Sequence, residues 1–294
     1  MPEETLALAV LGHGLVDSDR PWLRVDDEAV LRGRAVFETL RVYAGRPFRL
    51  PAHLERLTRS ARVLGLDVPD SAALTDLVGE SLAGLGEVDA VLRVVWTAGA
   101  AATRAVGFAL VTVLPEGLER MRGDGIELRS LQLAIGATAR RASPWLLPGV
   151  KSTSYAVNIA AQTEARRRGA DDALFLSLEG IVLEGPTSNV WFVEEGVLHT
   201  PALDLGILAG VTRDTLVDVA ADARIAVESG AYELDRLARA AEVFTSSSVR
   251  EVMPVVRLDG AAVGDGRPGP TAAAMQAGLR TAALEPGTVP EHSP

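Results

Sequence analysis

The sequence PGVKSTSYAVNIAAQ at residues 148–162 places a turn, a lysine and the start of a helix next to one another. Pro148-Gly149 predicts a sharp turn, and apolar residues at helical spacing predict a helix that begins just after Lys151. A lysine near the positive end of a helix dipole loses its proton at a lower cost. The candidate N-caps of this helix are Ser152, Thr153 and Ser154.

Lys151 is the single lysine of a chain that has 28 arginines. Arginine replaces lysine as a solvated cation, but not where an amine must lose its proton and attack a carbonyl. One explanation is that nucleotide bias in the genome converted the other lysines and spared this one by chance. The alternative is that Lys151 has a chemical role, which its neighbours favour.

The composition of the 294 residues excludes several classes of function. A net charge of −10 argues against nucleic acid or anionic membrane as a partner. The absence of cysteine excludes disulfides, thiolate metal sites and cysteine nucleophiles, and we expect no metal. The N-terminus is acidic, and no apolar run reaches the roughly 20 residues that span a bilayer. We therefore expect a cytoplasmic protein, and the pattern of strands and helices described next predicts the α/β (α+β) class.

The patterning predicts two domains joined by a short connection. Alternating strands, a hairpin turn at Ala44-Gly45 and two helices (residues 53–66 and 71–85) predict a small α+β domain over residues 1–115. The charged stretch 116–124 is predicted to be a linker. Residues 125–285 form the larger domain, with two helices, at 155–168 before Gly169 and at about 210–223. Residues 286–294 are predicted to be a disordered tail.

Several other polar residues lie next to predicted turns, where they would be exposed. Glu184 ends a short apolar strand and precedes Gly185-Pro186, which is ordinarily the position of a solvated rim residue. Tyr155 follows Lys151 by four residues, one turn away if the helix extends that far, and could hydrogen-bond an oxygen of a group bound to the lysine, although a buried tyrosine bonded to backbone is equally consistent with the sequence. Three segments could supply donors to a phosphate: Arg56 in HLERL, the glycine-bearing turn GILAGVT at 206–212, and FTSSS at 244–248.

Taken in order, these segments resemble the class IV aminotransferases, which are the fold-type IV pyridoxal-5′-phosphate (PLP) enzymes. The resemblance covers nearly the whole chain, and its segments are FETLRVYAGRPFRLPAHLERL (37–57), VKSTSYAVNIAAQ (150–162), LEGPTSNVWFV (183–193), LGILAGVTRDTL (205–216) and VFTSSSVREVMPV (243–255). It implies a small α+β N-terminal domain, a larger C-terminal domain built around a pseudo-barrel, and a homodimer with PLP at the domain interface.

The resemblance also assigns roles to individual residues. It implies that Lys151 holds PLP as a Schiff base and acts as a general base, and that Glu184 pairs with the pyridine nitrogen and keeps it protonated. Tyr155 takes the place of a residue near the 3′-oxygen of the cofactor. The residues implied to surround the phosphate are Arg56, Val211, Thr212 and Ser248, with Ser247 beside them.

The substrate is a small molecule with an amino group, and its identity depends on departures from the family pattern. The loop TAGAAATRAVG (97–107) keeps Arg104 but has no histidine, which weakens an assignment to D-amino acids. The stretch RGRAVFE (32–38) puts Arg34 and Phe37 where a substrate could enter. The leading hypothesis is 4-amino-4-deoxychorismate lyase, which forms 4-aminobenzoate and pyruvate for folate biosynthesis. The alternatives are a class IV aminotransferase acting on branched-chain or D-amino acids, and a non-catalytic PLP-binding protein.

Overall fold

The computed structural model describes residues 4–100 and 105–284. The first part of the chain forms a six-stranded antiparallel sheet in the order β2-β1-β6-β5-β3-β4. Its strands are β1 (Thr5–Val10), β2 (Gly14–Val16), β3 (Ala35–Tyr43), β4 (Arg46–Pro47), β5 (Ala90–Thr97) and β6 (Gly107–Thr112). Its helices are α1 (Glu28–Arg32), α2 (Leu50–Val63) and α3 (Ser71–Leu82).

Amphipathic helices cover one face of this sheet. Leu54 and Leu57 of α2 and Leu77 of α3 are fully or almost fully buried, and they pack against Leu40 and Leu92 of the central strands. The predicted hairpin is confirmed, because Ala44 and Gly45 both have positive φ (46° and 77°) between β3 and β4. Two such residues give a turn whose twist matches that of the strands.

The second part of the chain forms an eight-stranded mixed sheet in the order β11-β10-β9-β12-β13-β7-β8, with β14 beside β13. Its strands are β7 (Ile126–Gln132), β8 (Asp172–Leu176), β9 (Asn189–Glu194), β10 (Val197–Pro201), β11 (Val227–Gly230), β12 (Glu242–Ser247), β13 (Glu251–Leu258) and β14 (Ala261–Ala262). The helices of this part are α4 (Leu118–Asp124), α5 (Ala139–Ala142), α6 (Ala156–Arg167), α7 (Val211–Asp222), α8 (Leu234–Ala238) and α9 (Pro270–Leu284). Strand β7 runs parallel to both β13 and β8.

Three expectations about secondary structure need correction. Residues 116–124 were expected to form a linker, but most of them form α4, which starts after Gly117 and buries Leu118. Helix α9 was not expected because its alanine-rich sequence has little periodicity, although it buries Met275 and Leu279 against the second sheet. Short helices α5 and α8 were also missed. The predicted tail, 286–294, lies outside the described residues, and the division into two domains stays a prediction.

The hydroxyl residues before α6 do not cap it. The helix begins at Ala156, and its N-cap is Tyr155 without a side-chain cap bond. The Thr153 and Ser154 hydroxyls instead donate to the carbonyl of Gly33, at 3.0 and 3.1 Å. These bonds attach the segment after Lys151 to the first sheet.

In the part of the chain that the structure describes, no helix combines the length and the apolar character needed to cross a bilayer.

Candidate active site

Lys151 lies where the two sheets meet. Its segment is extended, and it pairs with β3 through an isolated bridge between Val36 and Ser152 and through the Phe37 N–H, which donates to the Lys151 carbonyl at 3.1 Å. The residue is 9% exposed. The helix predicted over 155–168 is observed as α6 (Ala156–Arg167), but it does not begin directly after the lysine, because the backbone at Lys151 and Ser152 pairs with β3.

The amine of Lys151 is held between two aromatic side chains. Its Nζ donates to the Tyr155 hydroxyl at 3.1 Å and lies 4.3 Å from the centroid of the Phe37 ring. The Phe37 and Tyr155 rings pack edge to face, with their centroids 5.0 Å apart. The structure therefore brings three of the predicted site residues together around one amine.

Glu184 is half-buried, and its carboxylate lacks a cationic partner among the described residues. One of its oxygens accepts a hydrogen bond from the Leu208 N–H at 3.0 Å. Within the described residues, no basic side chain forms an ion pair with it at 4.0 Å or less. Burial raises the pKa of Glu184 to about 7, and the Leu208 N–H and the distant cations Arg140 and Lys151 offset this only in part. Such a carboxylate is suited to pair with a cation supplied by a ligand.

The raised pKa of Glu184 predicts a pH-dependent stability of the cofactor-free protein. The folded pKa of about 7 is above the ordinary value of 4.5, so this group favours folding most below pH 4.5 and loses its contribution as the pH rises through 7. Relative to Glu184→Gln, the wild type should lose up to about 3 kcal/mol of unfolding free energy between pH 5 and 8. Urea titrations of both cofactor-free proteins across this range measure the difference, and parallel pH profiles would contradict the burial of an ionisable carboxyl.

Arg56 is fixed by a buried carboxylate, that of Glu38 in β3. Arg56 Nε donates to Glu38 Oε1 at 2.8 Å and Nη2 donates to Oε2 at 2.6 Å. Burial alone would raise the pKa of Glu38, but the Arg56 guanidinium and a hydrogen bond from His53 outweigh it and hold the pKa at about 2. Burial lowers the pKa of His53, so the neutral imidazole donates its Nδ1–H to Glu38 Oε2 at 2.7 Å.

The start of α7 lies next to this arginine. Arg56 Nη1 donates to the carbonyl of Ala209 at 2.7 Å, one residue before the N-cap Gly210. No side chain caps α7, and the first N–H groups of a helix have no partner within the helix. The amides of Val211 and Thr212 and the remaining N–H groups of Arg56 therefore form a set of donors suited to an anion.

Ser247 and Ser248 lie in the turn that joins β12 to β13. The Ser247 hydroxyl accepts a hydrogen bond from the N–H of Arg250 at 3.3 Å, and Trp191 donates to the neighbouring Ser246 at 2.9 Å. Strand β12 packs under α7 through Phe244 and Leu216. Helix α7 therefore packs directly on β12.

The two arginines predicted to bind substrate are not observed in this cluster: one binds elsewhere, and the other is not described. Arg34 Nη1 donates to Glu28 at 2.6 Å and Nη2 to the Gly65 carbonyl at 3.0 Å, so its guanidinium is bound to surface elements of the first sheet. Arg104 lies outside the described residues. A role for either in substrate binding stays a prediction.

Sequence reasoning missed Glu38, His53 and Asn189. Asn189 donates to the Leu208 carbonyl at 2.9 Å and so fixes the loop that carries the N–H bound to Glu184. Glu38 could have been found, because an acid at an inward position of an apolar strand needs a buried cation. The positions of His53 and Asn189 follow from tertiary packing and carry no local signal.

The Glu38–Arg56 pair predicts a large loss of stability on Glu38→Gln. Breaking a buried ion pair leaves one uncompensated charge, so we expect a loss of about 3 kcal/mol of unfolding free energy. The matched control is Glu55→Gln on α2, the helix that carries Arg56. The exposed Glu55–Arg59 pair, with N···O 2.6 Å, should contribute less than about 1 kcal/mol. Chemical denaturation distinguishes the two, and equal losses would contradict the account of Arg56.

A buried amine, a carboxylate without an ion-pair partner among the described residues and a group of anion donors are together suited to a phosphorylated carbonyl cofactor. The family model described as amino-transferase class IV matches residues 35–258. The chain belongs to the class IV aminotransferase family, whose cofactor is PLP.

Relatives and solved structures agree with this assignment. The chain is 33% identical over 254 residues to a bifunctional aminodeoxychorismate lyase / D-amino acid transaminase of Mycobacterium tuberculosis, covering 82% of this chain and 86% of the relative. It is similar to the fold IV-transaminase CpuTA1 of Curtobacterium pusillum, with TM-score 0.87, 34% identity and coverage of 94% and 98%. It is also similar to the PLP-bound form of a hypothetical aminotransferase from Mycobacterium tuberculosis, with TM-score 0.89, 30% identity and coverage of 95% and 99%. These structures confirm the predicted fold-type IV architecture.

The residues of the site fit PLP. The amine of Lys151 is the group that would bond the aldehyde carbon, and the carboxylate of Glu184 would match a protonated ring nitrogen. Arg56 and the amides of α7 are suited to the phosphate.

Proposed function

We propose that this protein is a PLP-dependent 4-amino-4-deoxychorismate lyase that forms 4-aminobenzoate and pyruvate. The observation that carries the proposal is the Lys151 amine, buried and 3.1 Å from the Tyr155 hydroxyl, together with Glu184, whose carboxylate accepts from the Leu208 N–H and has no ion-pair partner among the described residues. The resemblance of the chain to a bifunctional lyase/transaminase over most of its length supports the lyase reaction in particular.

The chain's own residues supply the proton chemistry. When bound, PLP supplies an electron-accepting ring that stabilises negative charge on the carbon bearing the substrate's amino group. Lys151 removes the proton from that carbon, and the Tyr155 hydroxyl holds the amine in place by its hydrogen bond. Glu184 holds a proton on the ring nitrogen by its negative charge, which is why a carboxylate without its own cation suits this position. Arg56, Val211, Thr212, Ser247 and Ser248 bind the phosphate and fix the ring.

The lyase reaction needs no second substrate. 4-Aminobenzoate and pyruvate together contain all the atoms of 4-amino-4-deoxychorismate, so the proton taken up by Lys151 is returned to a product. Loss of the three-carbon side chain makes the ring aromatic, and this drives the reaction forward.

Product analysis tests this proposal. The purified protein with PLP and aminodeoxychorismate, without any keto acid, should release 4-aminobenzoate and pyruvate in equal amounts. Release that requires an added keto acid, or no release while amino transfer proceeds, would contradict the lyase.

The second candidate is a class IV aminotransferase acting on branched-chain or D-amino acids. It is favoured by the resemblance to CpuTA1 and to a putative branched-chain-amino-acid aminotransferase of Methanocaldococcus jannaschii, 33% identical over 257 residues. An aminotransferase returns the proton to the cofactor side and releases a keto acid. Incubation with D-alanine or with leucine, without acceptor, should then convert the cofactor to its amine form in a single turnover.

The proposal includes a homodimer and a cytoplasmic location. The dimer is supported by exposed apolar side chains on neighbouring segments, namely Val30 and Leu31 of α1 and Val157 of α6. The Gly33 carbonyl that follows α1 accepts from Ser154 just before α6, so these side chains belong to adjacent elements. Light scattering should give twice the 30.9 kDa mass of the chain, and a monomeric mass would contradict the dimer.

A further inference from the structure

The turn that carries Ser247 and Ser248 is held from behind by arginines of other elements. Arg41 of β3 donates from Nη1 to the Val249 carbonyl at 3.3 Å. Arg122 of α4 donates from Nη2 to the Arg250 carbonyl at 3.1 Å. Both bonds therefore hold the backbone of the turn, and they come from regions far away in the sequence.

One buried carboxylate, that of Glu251, joins these arginines. Glu251 has no exposed surface, and it follows the turn with a left-handed backbone, φ 58°. Its nearest partners are Tyr43 Oη at 2.7 Å, Arg122 Nη2 at 2.7 Å, Gln276 Nε2 at 2.7 Å and Arg280 Nη2 at 3.0 Å. Arg41 Nη1 lies 3.6 Å from the same carboxylate. Burial alone would raise the pKa of Glu251, but hydrogen bonds from Arg280 and Tyr43 and the charge of Arg41 lower it, so the group is ionised.

The bond from Arg41 also sets the direction of a serine hydroxyl. In a trans peptide the C=O and the following N–H point in opposite directions. Because Arg41 binds the Val249 carbonyl, the Arg250 N–H points the other way, and it donates to Ser247 Oγ at 3.3 Å. The Ser247 oxygen thus accepts from backbone, and its own O–H proton is available to a second acceptor.

We infer that Glu251 is a positioning residue for the cofactor phosphate, acting through Arg41 and Arg122 on the Ser247–Ser248 turn. The inference rests on the proposed phosphate site. The backbones of Glu251 and Ser247 are paired across β13 and β12, but the Glu251 carboxylate does not bond the serine; it holds the two guanidinium groups that orient the turn. Arg41 and Tyr43 belong to the first sheet, and Glu251 belongs to the second. The same contacts therefore fix the Ser247–Ser248 turn relative to the first sheet.

The test compares the binding of PLP with that of pyridoxal, which lacks the phosphate. In the wild type, absorbance titration should show that PLP binds far more tightly than pyridoxal. Glu251→Gln and Arg41→Gln should each weaken PLP binding about tenfold and leave pyridoxal binding within about twofold of the wild type. The phosphorus resonance of bound PLP should also shift in both variants, which a general loss of packing would not cause.

The matched control is Arg280→Gln, which removes one partner of Glu251 and no contact to the turn. It should keep the wild-type preference for PLP over pyridoxal. Equal weakening of both ligands in Glu251→Gln and Arg41→Gln, or a tenfold effect in Arg280→Gln, would overturn the inference. Failure of the phosphate site itself gives a different result, because the wild type and Ser247→Ala would then both bind PLP and pyridoxal alike. If Glu251→Gln does not fold, the ratio of the PLP affinity to the pyridoxal affinity in Arg41→Gln decides the test.

Discussion

Lys151→Ala is expected to lower turnover by about 10⁴-fold or more and to remove the visible absorbance band of the PLP-loaded protein. The physical reason is that the chain has no other lysine, and none of its 28 arginines can supply a neutral amine. Single-turnover assays with aminodeoxychorismate measure the rate, and an absorbance spectrum measures the bond to the cofactor.

Lys151→Arg is the informative control for this experiment. It keeps a long basic side chain between Phe37 and Tyr155, and its folding should therefore differ little from that of the wild type. It should nevertheless be as inactive as Lys151→Ala. An active Lys151→Arg variant, or a Lys151→Ala variant with a normal band, would show that the amine is not the reactive group.

Glu184→Gln is expected to lower kcat by about 10²-fold to 10³-fold while PLP remains bound. Glutamine keeps the shape of the side chain and can accept from the Leu208 N–H, but it has no charge to hold a proton on the ring nitrogen. The loss should therefore appear in kcat more than in substrate or cofactor affinity, and steady-state kinetics on the loaded enzyme separate the two.

A neighbouring carboxylate provides the comparison. Glu179 caps a turn through Ser177 and the Ala137 N–H, away from the lysine, and Glu179→Gln should keep nearly full activity. If Glu184→Gln retained more than about a third of the wild-type rate, the proposed pairing with the cofactor would be wrong.

The sequence predicted those parts of the molecule that depend on local chemistry. The hairpin at Ala44-Gly45 follows from two residues that accept positive φ, and α7 was placed within one residue at each end. Tyr155 was expected near the 3′-oxygen of the cofactor, one turn of helix beyond the lysine, and its contact with the lysine amine was not expected. In the structure Tyr155 precedes α6 and its hydroxyl accepts from Lys151, whose backbone pairs with β3.

The remaining features depend on partners that are distant in the chain. Glu251 and Arg41 are brought together only when the two sheets pack, and no local pattern marks either residue. Arg56 was predicted as a phosphate donor, but its pairing with Glu38 was not, because that counter-ion lies on another element. The helix α9 was missed because alanine gives little contrast between its buried and exposed faces, although its Ala272 and Met275 are buried.

The most direct test of the account is to identify where PLP is attached. The native protein is loaded with PLP, reduced with borohydride, digested with trypsin and analysed by mass spectrometry. Trypsin does not cleave after a modified lysine, so the account predicts one labelled peptide, 142–166, with the cofactor on Lys151. Recovery of unmodified 142–151 and 152–166 from fully reduced protein, with no label or with the label elsewhere, would contradict it.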